Sequence, residues 1–128
     1  MHVTPQEQAA IEALMLVDHE QAVACEEALA AEYEGILDAS ADANLDDEHD
    51  PEGATVGYER ARVASLLRQA RARLSALAAA GDRIRAGVYG TCCHCGQPIP
   101  FDRLMAFPTA VTCVSCANGS TRASSPRE

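Results

Sequence analysis

The chain has no tryptophan and only three tyrosines and two phenylalanines in 128 residues, which leaves little material for a globule built on large aromatic side chains. Positive charge is absent from one whole segment. Residues 1–52 hold fifteen Asp and Glu and no Lys or Arg, whereas residues 53–128 hold four acids and ten Arg, so the segments carry −15 and +6. A segment of −15 repels phosphate backbones, which argues against sequence-specific DNA binding. No apolar run approaches the length of a membrane span. No opening stretch combines a basic start, an apolar run and a cleavage site, so the expectation is a soluble cytoplasmic protein without a membrane partner. A chain of this size cannot bury a large core.

What is present is alanine and charge, a composition that favours long, closely packed helices. Thr4-Pro5-Gln6-Glu7 carries a hydroxyl N-cap, a proline at the first helical position and a carboxylate three residues on, which together predict a capped helix start. From there Met15, Ala22, Leu29 and Ile36 recur at a spacing of seven, with Ile11, Cys25 and Tyr33 near the same stripe. Val56, Val63, Ala70, Leu77 and Ile84 repeat the spacing downstream, and Leu67 and Leu74 fill the interleaved positions of a coiled-coil seam. Two arms, at residues 5–38 and 53–86, would each extend about 50 Å, and neither can bury its stripe alone. Antiparallel pairing of the acidic arm with the Arg-rich arm satisfies both, giving an elongated monomer; pairing between chains would satisfy the same pattern. Between the arms Pro51 and Gly53 mark the expected turn, and Asp46, Asp47, Glu48 and Asp50 make that end strongly negative.

Cys92 and Cys95 form one Cys-x-x-Cys pair and Cys113 and Cys116 a second, the spacing of a four-thiolate zinc site. Two intervening residues let both sulfurs of a pair face one ion, so Cys92 and Cys95 are preferred over Cys93 and His94 as ligands. Four sulfur ligands leave no open position, so the expected zinc is structural, and no covalent chemistry is assigned. Cys93 is then an extra thiol open to oxidation, and Cys25 on the apolar stripe reads as a small core residue. His19 and His49 lie isolated among acids and read as solvated. The segment Ile99–Pro108 offers a small apolar patch to pack on the metal site, too small to fold without the metal's help. The tail from Asn118 is polar and reads as disordered. The expected organisation is a mainly α fold: a hairpin at residues 1–86 with an acidic tip at 39–53, a zinc lobe at 87–117 and a tail at 118–128.

Gly87-Val88-Tyr89-Gly90-Thr91-Cys92, Cys95-Gly96-Gln97-Pro98-Ile99, Arg103 through Ala110, and Cys113-Val114-Ser115-Cys116 resemble the DksA/TraR family of bacterial zinc-finger proteins. The resemblance implies a helical hairpin ahead of the finger. It also implies RNA polymerase as the partner, the hairpin tip entering the secondary channel and altering initiation, with ppGpp as the family's co-effector. The family's tip motif, Asp-x-x-Asp-x-Ala, is met here by Asp47-Glu48-His49-Asp50-Pro51-Glu52, with Glu52 where alanine belongs. Asp46, Asp47 and Asp50 are accordingly the expected tip contacts. Arg103 belongs to the family pattern too, and is expected either to cap carbonyls inside the finger or to meet the partner. Two readings from other classes stand beside this one: a nucleic-acid-binding zinc module, and a zinc or redox sensor in which oxidation of Cys92 or Cys93 releases the metal.

Overall fold

The computed structural model describes residues 2–43 and 51–119. It is helical: α1 runs Pro5–Ala43, α2 Pro51–Ala86, α3 Phe101–Ala106 and α4 Val114–Asn118. Extended pairing among the described residues is confined to an isolated antiparallel bridge between Thr91 and Pro98. Asp46, Asp47 and Asp50, the expected tip contacts, lie outside the described residues, as does His49. The polar tail lies outside them from residue 120 onward, while Asn118 closes α4.

The start of α1 forms the reciprocal cap its sequence predicts. The Glu7 amide donates to Thr4 Oγ1 at 3.1 Å and the Thr4 amide donates to Glu7 Oε1 at 3.1 Å. Two amides that the helix itself cannot satisfy thereby find acceptors. Both long helices outrun the arms read from the sequence. α1 continues past residue 38 through the alanine-rich Ala39–Ala43, where good helix formers carry it on. Pro51, expected in the turn, instead opens α2. The reason is positional: a helix's first turn has no use for the missing amide and welcomes the fixed φ of proline, so this residue starts a helix as readily as it breaks one.

Contacts divide the chain into two compact units, His19–Ser75 and a second one formed by Met1–Asp18 with Ala76–Glu128. Inside His19–Ser75, α1 and α2 run antiparallel, since Glu26 meets Arg71 at 3.0 Å while Glu32, further along α1, approaches Arg62, earlier in α2, at 3.9 Å. Ala22, Val63, Leu67 and Ala70 are buried, as the spacing of seven and its interleaved positions require. The ion pairs flank this seam in partly exposed positions, so they fix register more than they add stability. Cys25 is exposed and not in the core. The buried line passes from Ala22 to the half-buried Glu26, one helical turn on, and Cys25 sits about 100° around the helix from that position.

In the other unit, Ile11 from α1 and Ala80 from α2 share a buried cluster with Tyr89, Cys92, Ile99 and Leu104. Val3, Met15, Ile84 and Met105 pack against it, together with Cys113 and Cys116. Ile99 and Leu104 are the apolar patch anticipated between the cysteine pairs. α2 ends in a Schellman turn: Gly87, at φ 79°, donates its amide to Ile84 O at 3.1 Å, and Val88 donates to Arg83 O at 3.0 Å. That turn redirects the chain from the helix into the first cysteine pair.

Candidate metal centre

The first cysteine pair rides on a short hairpin. The Cys92 amide donates to Gln97 O at 2.8 Å and the Ile99 amide donates to Gly90 O at 2.8 Å, while the Gly96 amide closes back on Cys92 O at 2.9 Å. This last bond requires the chain to turn sharply after Cys95, and Gly96 supplies it at φ 76°, a region where side chains are strained. Gly90 takes φ 84° just before the pair for a second reason. A Cβ there would stand 2.8 Å from Val3 Cγ2.

The second pair opens α4, with Cys113 at its N-cap and Cys116 inside it; the Ala117 amide donates to Cys113 O at 2.9 Å. One bond ties the first pair to the approach to the second, and another ties α3 to it. The Cys93 amide donates to Val111 O at 2.8 Å, and Arg103 Nε donates to Thr112 O at 2.8 Å, the residue before Cys113. Arg103 thus caps a carbonyl within the finger, the first of the two roles its sequence position suggested, and its guanidinium lies 5.7 Å from the Phe107 ring centroid.

These ties bring Cys92, Cys95, Cys113 and Cys116 together, all four Sγ atoms lying within 4.8 Å of one another. Cys95 Sγ and Cys113 Sγ are 3.9 Å apart. Sulfurs at about 2.3 Å from a tetrahedral zinc stand about 3.8 Å from each other, so the Cys95–Cys113 separation matches that ion and the four together are near enough to share it. The donor set fits a structural zinc: Cys92, Cys95, Cys113 and Cys116 would hold the ion and would leave it no open coordination position.

Electrostatics inside the thiol cluster favour a cation. Burial pushes the Cys92 thiol up, but the amides of Cys95, Cys113 and His94 and the Cys95 thiol together hold it down at about 6. The His94 amide is one donor, 3.4 Å from Cys92 Sγ. Cys116 is pushed up to about 12, first by its hydrogen bond with Cys113 and then by burial, because crowded thiols resist sharing further negative charge. A divalent ion supplies the charge that lets all four ionise together. Cys93 and His94 are exposed, and neither belongs to the cluster of four.

One tie escaped the sequence reading. Tyr89 is fully buried and its hydroxyl donates to Pro108 O at 2.6 Å, joining the end of α2 to the segment that leads into the second pair. Arg83 lies 5.9 Å from the centre of its ring. Tyr89 stood in a recognisable motif, but nothing in one sequence names a backbone carbonyl nineteen residues away as the partner. Burial pushes its phenol up to about 12 despite the nearby Arg83 charge. The unfolded phenol, near 10, loses its proton before the folded one, so the stability this group contributes is intact below about pH 10 and is lost as pH rises towards 12. Tyr89→Phe should cost about 1–2 kcal/mol at neutral pH in a denaturant melt and should flatten that alkaline loss.

Among the described residues no helix is long and apolar enough to cross a membrane. Residues 87–122 match the family described as the prokaryotic dksA/traR C4-type zinc finger. The structure of transcription factor DksA2 from Pseudomonas aeruginosa is similar to this chain with a TM-score of 0.78 and 22% identity, covering 95% of this chain and 88% of that one. At that identity the likeness carries the fold. No curated protein matches the chain by sequence.

Proposed function

We propose that this chain, whose finger is of the dksA/traR C4 type and whose fold is that of a DksA protein, regulates transcription by binding RNA polymerase directly. The observation that carries the reading is that one fold likeness spans hairpin and finger together, 95% of the chain, and not the zinc motif alone. In this reading the protein acts as a cytoplasmic monomer. The hairpin enters the secondary channel, and Asp46, Asp47 and Asp50 act at its tip on the catalytic region through their charge. Zinc fixes the base from which the helices project. No bond is made or broken by the protein, in keeping with a metal whose four positions are all filled by sulfur. A first segment without Lys or Arg opposes a phosphate backbone and so disfavours DNA as the partner.

The test uses purified bacterial RNA polymerase and the intact chain, with direct binding and promoter-specific RNA synthesis measured with and without ppGpp. Intact protein is expected to bind and to change initiation. Asp47→Asn with Asp50→Asn is expected to bind comparably and lose most of that effect. A double variant that still acts like the parent removes the tip from the mechanism. An intact protein that does not bind the enzyme ends the reading.

A further inference from the structure

Cys92 is not only a ligand. At 1% exposure it is also a member of the buried cluster that includes Ile11 of α1 and Ala80 of α2, both at 0%, while Cys113 and Cys116 pack against the same cluster. The finger has no separate core, because its large buried hydrophobic side chains, Tyr89, Ile99 and Leu104, belong to this one. The stretch before α1 joins in as well, Val3 sitting against Gly90, two residues ahead of Cys92. By contrast, His19–Ser75 buries Ala22, Val63, Leu67 and Ala70 within its own bounds.

We propose that Ile11 and Ala80 are positioning residues of the zinc site, so that metal binding and the order of residues 3–18 and 76–86 form one equilibrium from which His19–Ser75 stands apart. The physical reason is the size of the finger: a segment this short cannot pre-organise its thiolates by its own apolar contacts, so the helix ends must do it. Linkage then makes the effect reciprocal. If zinc orders the helix ends, loosening the helix ends must weaken zinc by the same factor. The inference rests on the metal centre and is independent of any polymerase contact.

The experiment measures zinc retention by the full chain in competition with a chromogenic chelator. Ile11→Ala is expected to weaken zinc about tenfold or more, although Ile11 is not itself a ligand. Val63→Ala, equally buried at 0% but in His19–Ser75, is expected to stay within about twofold of the parent. Should Ile11→Ala fail to fold by circular dichroism, the milder Ile11→Val is expected to show the same effect at about two- to fivefold. Hydrogen exchange on metal removal gives a second readout. Protection is expected to fall over residues 3–18 and 76–119 and to persist over 19–38 and 56–75. Parental zinc retention in the Ile11 variants overturns the proposal. So does equal weakening by Val63→Ala, or exchange that changes only within 87–119.

Discussion

Cys113→Ser is expected to abolish stoichiometric zinc binding and to unfold the finger, the largest single effect any side chain in this protein should have. Structural zinc in small fingers is bound with about 10–16 kcal/mol of apparent free energy, and in a lobe without its own core that energy is folding energy. Serine offers a hydroxyl where zinc needs a thiolate, and the three remaining sulfurs cannot close the tetrahedron. This position isolates the metal's contribution unusually well. Cys113 is the N-cap of α4 and makes no capping bond with its side chain, whereas serine is among the preferred N-caps, so the helix start is if anything improved by the change. The loss of structure then reflects the ion together with whatever packing the Cys113 sulfur gives the core, and not a weakened helix start. Elemental analysis should find well under one zinc per chain, and thermal circular dichroism should show an early, low-temperature loss of signal absent from the parent. A Cys113→Ser protein with full zinc and a parental melt would mean that the four-sulfur cage is not what holds the lobe.

Gly90→Ala should be the most damaging of the glycine substitutions, at about 2–4 kcal/mol in a urea melt. Two costs add. A side chain at φ 84° meets its own carbonyl, worth about 1–2 kcal/mol. The new methyl would also lie 2.8 Å from Val3 Cγ2 and 3.6 Å from Leu104 Cδ1, so something in the core must move. The parts can be separated. Adding Val3→Ala to Gly90→Ala removes the closest atom and should recover the steric part while leaving the backbone strain. Gly35→Ala serves as the contrast: it lies within α1 with nothing within 4 Å of the added carbon, and should stabilise by about 0.5–1 kcal/mol. Equal effects at the two glycines would show that close packing on Gly90 carries no energy.

Features set by neighbours in sequence were readable before any coordinates. The Thr4–Glu7 cap depends on four consecutive residues, and it forms. Val63, Leu67, Ala70 and Leu77 are buried because helical periodicity alone decides which face they share. The cysteine spacing marked four thiols out of six because knuckle geometry is local. What stayed hidden depends on distant partners. Cys25 matched the stripe by count, yet a shift of one residue moves a side chain about 100°, and the pairing of Glu26 with Arg71 settles which residue faces the seam. Ile11 read as an ordinary stripe residue and proves to sit in the core of the metal-bearing lobe. Pro51 is ambiguous by nature, since the same fixed φ serves a turn and a first helical position.

The seam between Glu26 and Arg71 and between Glu32 and Arg62 sorts molecules as well as helices. Because α1 carries no Lys or Arg, two first helices from different copies would meet acid to acid, and two second helices arginine to arginine. Only unlike segments attract. The nearest unlike segment is the one tethered on the same chain, at an effective concentration that free copies in a cell do not approach. The same charges that align the two helices within His19–Ser75 therefore disfavour like-with-like pairing between copies.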